Sequence, residues 1–169
     1  WFLAGQFENP ANPEYHRNTT GPEILRDFAG RNLDYFVSGW GTGGTLTGAG
    51  EMIKKARPET KIIATEPEGA ALLSGKDWSP HKIQGWTPDF IPGVLNRDIA
   101  DEIVLVNDDE SIANAKRLAA EEGIFVGISC GATLTAALSV AKTAPTNSTF
   151  CVMLPDTGER YLSSPLFAD

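Results

Sequence analysis

Ser38-Gly39-Trp40-Gly41-Thr42-Gly43-Gly44-Thr45 follows the apolar run Tyr35 to Ser38 and leads into a stretch where Leu46, Ala49, Met52 and Ile53 recur at helical spacing. A strand that turns through glycines into a helix is the repeating unit of a parallel α/β sheet. The turn also reads as an anion cradle. Glycines let backbone N–H groups converge without side-chain obstruction, a helix N-terminus adds partial positive charge, and threonine hydroxyls donate further hydrogen bonds. No Gly-Lys-Ser/Thr ending follows, which favours a single phosphate group over a magnesium-bound triphosphate. By pattern alone, Gly39, Gly41 and Gly44 also satisfy G-x-G-x-x-G, and Glu66 ends the next apolar run where a dinucleotide site places its ribose-binding acid. A tight strand-to-helix turn with no ligand is the third reading.

Outward from this turn the alternation continues. Runs of strand length lie at Tyr35 to Ser38, Lys61 to Thr65, Ile103 to Val106 and Phe150 to Leu154. Helical patterns lie between them. One opens near Thr20 and Pro22, with Thr20 or Gly21 capping and Glu23 in its first turn, and stops at Gly30 after Ala29. Others run from about Gly44 to Ala56 with Pro58 enforcing the exit, from Asp108 to Glu122 with Gly123 closing it, and from about Gly131 to Lys142. The order predicts one doubly wound α/β domain over residues 1–169: a three-layer, twisted parallel sheet with helices on both faces and a crevice beyond the carboxyl ends of its strands. Ser74 to Asp101, rich in Pro, Gly and Trp, is too long for a simple connector and is expected to be a functional loop. No internal repeat or low-complexity segment is found.

Bulk properties narrow the partners. The chain has 169 residues and a net charge of −8, with no Lys/Arg cluster to track nucleic acid or an anionic membrane. No apolar run approaches the roughly 18 residues of a membrane span, and no leader pattern is present. Cys130 and Cys151 lack metal-ligand spacing and a disulfide framework, which fits a reducing cytoplasm, and no metal site is expected. The opening Trp1-Phe2-Leu3 resembles the interior of a folded protein, so the sequence is expected to be part of a longer chain.

Gly127-Ile128-Ser129-Cys130-Gly131-Ala132-Thr133 is a second small-residue turn that closes a strand-like run. Ser129 either caps the following helix or hydrogen-bonds a ligand heteroatom in the crevice. Its spacing also matches a G-x-S-x-G nucleophile elbow, but His16 and His81 both precede it, against the chain order of that triad.

Several stretches together resemble the cysteine synthase (O-acetylserine sulfhydrylase) family of pyridoxal-phosphate enzymes: residues 6–13 (QFENPANP), 20–24 (TGPEI), 41–48, 82–85 (KIQG), 127–132 and 158–162 (GERYL). The resemblance covers essentially the whole chain and implies the tryptophan-synthase-β-like fold of these enzymes, here as the large domain. It implies that Gly41, Thr42, Gly43, Gly44 and Thr45 hold the phosphate of pyridoxal 5'-phosphate and that Ser129 meets its pyridine nitrogen. It further implies that Gln6 lies beside the substrate carboxylate and that Gly85 lines the substrate cleft. The family reaction exchanges the acetate of O-acetylserine for sulfide, giving cysteine. A homodimer, and docking of a serine acetyltransferase C-terminal tail in the crevice, are family expectations as well.

The match departs from the family in three places. The family's Schiff-base lysine and Thr-Ser-Gly-Asn loop belong to a preceding segment, so these 169 residues are expected to cradle phosphate without catalysing alone, with no catalytic residue assigned. Gly85-Trp86-Thr87-Pro88-Asp89-Phe90 replaces a glycine-rich Gly-Ile-Gly-Ala-Gly-Phe, either altering the nucleophile or leaving group or varying the rim neutrally. Asp156 stands where relatives often carry Ser, near the ring nitrogen, and could protonate it. Cystathionine synthase or serine/threonine dehydratase chemistry, a nicotinamide-dependent dehydrogenase, and a non-catalytic binding module are the alternative readings.

Overall fold

A computed structural model describes residues 1–164, 166 and 167. Four parallel strands, β1 (Tyr35–Gly39), β2 (Lys61–Pro67), β3 (Glu102–Val106) and β4 (Phe150–Val152), form one sheet in the order β3-β2-β1-β4. The register sets Tyr35 beside Lys61 and Phe150, and Thr65 beside Gly39 and Val104. The strands alternate with α1 (Ala11–Asn18), α2 (Thr20–Asp27), α3 (Gly44–Ala56), α4 (Asp108–Glu122) and α5 (Ile128–Ala141).

The pleat divides the core in two. Tyr35 and Val37 of β1, with Ile63 and Val106, pack against α4 and α5 through Leu118, Ile128, Ala136 and Val140. Phe36, Ile62 and Ala64 point the other way, onto Leu46, Ala49 and Ile53 of α3. Period-2 alternation on strands buried from both sides is what covering helices on both faces require. The expected three-layer parallel α/β architecture is therefore present.

Local chemistry moves several boundaries. The sequence reading had no helix before Thr20, yet α1 forms, opened by Asn9, whose Oδ1 accepts the Ala11 N–H at 3.0 Å. Neither Thr20 nor Gly21 caps α2: the cap position is Thr19, and its hydroxyl donates back to the Tyr15 carbonyl at 2.7 Å instead. Helix α2 ends at Asp27 rather than Ala29. Helix α4 matches its expected span, but its cap is Asn107, whose side chain accepts from the N–H groups of Asp109 and Glu110. Helix α5 starts at Ile128, so Ser129 belongs to its first turn. Strand β4 stops at Val152, although the Met153 N–H still reaches the Val37 carbonyl at 2.9 Å. Among the described residues, no helix is long and apolar enough to cross a membrane.

Helices α4 and α5 meet backbone to backbone at Gly131, where an added Cβ would lie 1.9 Å from the Ser111 carbonyl oxygen and 2.6 Å from the Ala115 nitrogen. Gly131→Ala gains about 1 kcal/mol in helix propensity but over-packs a backbone contact, which costs about 1–3 kcal/mol or more. The variant is expected to unfold at lower urea concentration than the parent with an unchanged m-value; an equal or higher midpoint would show that the two helices can separate freely.

Candidate functional site

A cavity of about 380 Å³ opens at the carboxyl ends of the strands. Its walls come from the end of β1 (Ser38, Gly39), the turn after it (Gly41), the first turn of α3 (Thr45), the loop at Gln84, Gly85 and Trp86, the first two turns of α5 (Ser129, Thr133), and Met153, Pro155, Asp156 and Tyr161. A crevice beyond the carboxyl ends of the strands is where an open parallel sheet places its ligands.

The turn from β1 to α3 is built for an acceptor. Gly43 adopts φ +82°, which a side chain would disfavour, and opens α3 without any side-chain cap. No acidic residue occupies the first turn of α3. The N–H groups of Thr45 and Leu46, too early in the helix for an intrahelical partner, take none among the described residues. Free N–H groups at the positive end of a helix suit an anion. Gly41 and Thr45 line the cavity, and Thr42, Gly43 and Gly44 complete the turn between them.

Helix α1 lies directly behind this turn. Asn12 Nδ2 donates to Thr42 Oγ1 at 2.9 Å and to the Gln6 carbonyl at 2.8 Å. One turn later, His16 Nε2 lies 3.2 Å from Thr45 Oγ1, and its Nδ1 lies 2.8 Å from Thr20 Oγ1. Burial lowers the His16 pKa from its ordinary value, so the neutral ring is favoured. The helix is anchored by Arg17, which donates to Glu51 of α3 at 2.6 Å, while Asn96 donates to the other Glu51 oxygen at 2.9 Å. Burial tends to raise the Glu51 pKa, but the hydrogen bonds from Arg17 and Asn96 outweigh it and hold the carboxyl below its usual range.

At the other end of the cavity Ser129 is 3% exposed, and among the described residues its hydroxyl makes no hydrogen bond. It is not the helix cap, a position held by Gly127. Asp156 lies nearby with its carboxylate already engaged: Oδ2 accepts from the Tyr161 hydroxyl at 2.6 Å, and Oδ1 lies 3.6 Å from the Cys130 thiol. Burial, then the Asp156 carboxylate as hydrogen-bond acceptor, push the Tyr161 hydroxyl well above its usual pKa. Burial likewise pushes the Cys130 and Cys151 thiols up to about 11, so neither is a thiolate nucleophile at neutral pH.

Of the remaining sequence candidates, Gly85 lines the cavity, whereas Gln6 is exposed and outside its lining, joining the site through its backbone carbonyl. Trp86 is a buried wall rather than a rim residue: a Cβ on Gly39 would lie 1.8 Å from its six-membered ring. Asp89 is exposed. Glu66, the acid of the dinucleotide reading, is fully buried and accepts from the Leu73 and Ser74 N–H groups and the Ser74 hydroxyl, at 2.7, 3.2 and 2.9 Å. A carboxylate enclosed in this way has no face left for a ribose. Asn12, His16 and Tyr161 were missed as site residues; the Asn9-Pro10 helix start was the available signal for the first two.

Residues 1–156 match the family described as pyridoxal-phosphate dependent enzyme. Over 99% of its length the chain is 58% identical to the O-ureido-L-serine synthase of Streptomyces lavendulae, covering 52% of that protein. It is 49% identical to the cysteine synthase of Staphylococcus aureus strain N315, again over 99% of the chain and covering 54% of that protein. The crystal structure of O-ureido-L-serine synthase superposes with a TM-score of 0.97 at 57% identity, over 99% of this chain and 53% of that one. Cysteine synthase from Entamoeba histolytica superposes with a TM-score of 0.93 at 39% identity, over 98% and 49%. The chain spans about half the length of the curated relatives it matches.

The lowered His16 pKa links the site to stability. Between the folded-state value and the unfolded value of 6.5, the unfolded chain binds more protons, so stability present above pH 6.5 is lost as pH falls through the folded value. Urea midpoints measured from pH 7.5 to 5 are expected to drop less in His16→Gln than in the parent. Identical slopes would mean that His16 titrates alike in both states.

Proposed function

Because the chain belongs to the pyridoxal-phosphate dependent enzyme family, we propose that residues 1–169 are the cofactor-phosphate-binding domain of an enzyme that replaces the β-substituent of an O-activated serine. Our first reading is cysteine formation from O-acetylserine and sulfide. The observation that carries it is the first turn of α3, uncapped, free of acid and with two unpartnered N–H groups, opening onto the same cavity as Ser129.

The residues present fit the cofactor. Gly41, Thr42, Gly43, Gly44 and Thr45 would hold its phosphate, and the unbonded hydroxyl of Ser129 would meet its pyridine nitrogen. When bound, pyridoxal phosphate supplies an electron-withdrawing ring that lets an amino acid lose its α proton and a β-substituent. A serine hydroxyl is neutral and leaves the ring nitrogen unprotonated, a weaker sink that still suffices for β-elimination. Asp156 belongs to the same end of the site, where Tyr161 holds its carboxylate. Gly85 leaves room for the amino acid, and Gln6, whose side-chain amide makes no hydrogen bond among the described residues, is the candidate for its carboxylate. No lysine lines the cavity among the described residues. We place the amine that holds the cofactor aldehyde elsewhere in the whole protein. Homodimerisation and a serine acetyltransferase tail as partner rest on the family resemblance alone, and a cytoplasmic location on the lack of metal-ligand spacing and of a disulfide framework at Cys130 and Cys151.

A second reading is favoured by Trp86. Its ring replaces the smaller Ile of the glycine-rich family loop and walls the cavity against Gly39. A flat aromatic wall suits a planar nucleophile such as hydroxyurea, whose oxygen attack would give an O-ureido product of the kind that names the Streptomyces lavendulae relative.

The test is a competition. The whole protein carrying this chain, loaded with pyridoxal phosphate, receives O-acetylserine with equal sulfide and hydroxyurea, and products are read by mass spectrometry. Cysteine supports the first reading and O-ureidoserine the second; neither product overturns both. Trp86→Ile is expected to raise the cysteine-to-O-ureidoserine ratio severalfold.

A further inference from the structure

Thr42 Oγ1 accepts two hydrogen bonds, from Asn12 Nδ2 at 2.9 Å and from the Gly44 N–H at 3.2 Å. A hydroxyl oxygen has two lone pairs and one proton. With both lone pairs filled, the proton is the only group Thr42 has left to offer, and it has no acceptor among the described residues. We propose that Asn12 is a positioning residue for phosphate, fixing the Thr42 hydroxyl as a committed donor toward the cradle formed by residues 41–45. The proposal rests on the phosphate-cradle reading and deepens it.

The orientation of Asn12 is settled by its second contact. Its Nδ2 also donates to the Gln6 carbonyl at 2.8 Å, so a flipped amide would set Oδ1 against a carbonyl oxygen, lose that bond, and turn the Asn12 contact with Thr42 from donor to acceptor. Its Oδ1 in turn lies 1.9 Å from where a Cβ on Gly44 would stand, so only glycine there admits the amide. Without Asn12, one Thr42 lone pair is free. The hydroxyl can then rotate and present oxygen, not hydrogen, to an incoming anion. A donor held in place beforehand selects an acceptor-only ligand, a phosphate monoester dianion, over an amine or a cation.

Pyridoxamine 5'-phosphate and pyridoxamine make the test specific, because neither carries an aldehyde that would react with exposed lysines. Their Kd values for the full chain are measured by fluorescence. The parent is expected to prefer the phosphorylated ligand. Asn12→Ala should reduce that preference about tenfold while leaving pyridoxamine binding unchanged. Asn12→Asp keeps the side-chain shape, and should reduce the preference on the order of a hundredfold, since a carboxylate accepts the Thr42 proton and adds a like charge behind the phosphate. In a Thr42→Val background, Asn12→Ala should have no further effect. Equal loss for both ligands, an unchanged preference, or full additivity with Thr42→Val would overturn the proposal. A parent chain with no preference for the phosphorylated ligand would instead overturn the cradle reading itself.

Discussion

The carboxyl end of the sheet depends on how closely other chain segments approach the turn between β1 and α3. The Trp86 ring lies against Gly39, the Gly85 carbonyl against Gly41, and the Asn12 amide against Gly44; a Cβ at these three glycines would fall 1.8, 2.2 and 1.9 Å from them. The turn is clasped from both sides, by the 84–86 loop on one and by α1 on the other. The glycines therefore serve the protein's own packing as well as any bound anion. This is why their spacing alone could not separate a phosphate cradle from a dinucleotide loop: both readings assign the small residues to the ligand. The discriminating residue lay elsewhere, in Glu66, whose carboxylate pins the chain at Leu73 and Ser74.

The cavity has two electrostatic ends. At the α3 end, unpartnered N–H groups and the Thr42 hydroxyl offer hydrogens and no acid opposes them. At the α5 end, the one carboxylate among the lining residues, Asp156, accepts from the Tyr161 hydroxyl, and the Cys130 thiol lies 3.3 Å from its backbone carbonyl. Ser129 remains the unengaged hydroxyl at that same end. A ligand with a phosphate at one end and a weakly basic nitrogen at the other matches this polarity, with the Asp156 carboxylate already accepting from the Tyr161 hydroxyl.

The layered sheet was legible in the sequence because its signals are local. Tyr35 to Ser38 and Lys61 to Thr65 are apolar runs bounded by polar turns, and α4 carries both an acidic start and Gly123, which adopts φ +70° as its terminator. Helix α1 was not legible, because Asn12, Pro13, Glu14, His16 and Arg17 give it no apolar face. It buries Pro13 alone and is held by polar contacts to α2, α3 and the cradle. The glycine and threonine turn could be read from the sequence, but the contacts behind it could not: Asn12 and Thr42 are 30 residues apart. For Trp86 the sequence left an altered nucleophile or leaving group and neutral rim variation both open, because the chain on either side of it is irregular; its inward place depends on the room left by the missing side chain at Gly39.

The two ends of the turn also differ in how they can change. The α1 side interlocks through Asn12, Gln6 and Gly44, so substitution at one position disturbs the others. The 84–86 loop is held differently, mainly through the backbone of Thr87. That residue is 1% exposed and sits at φ +38°, an unfavourable conformation for a β-branched side chain. Its N–H donates to the Trp40 carbonyl at 2.9 Å, and its own carbonyl accepts from Trp78 Nε1 at 2.9 Å. With the backbone so fixed, the loop keeps its place beside the turn, while its contact with Gly39 is made by the Trp86 ring itself. On the proposed reading, a changed side chain at position 86 would alter the wall that meets the incoming nucleophile while residues 41–45 keep their role in holding phosphate.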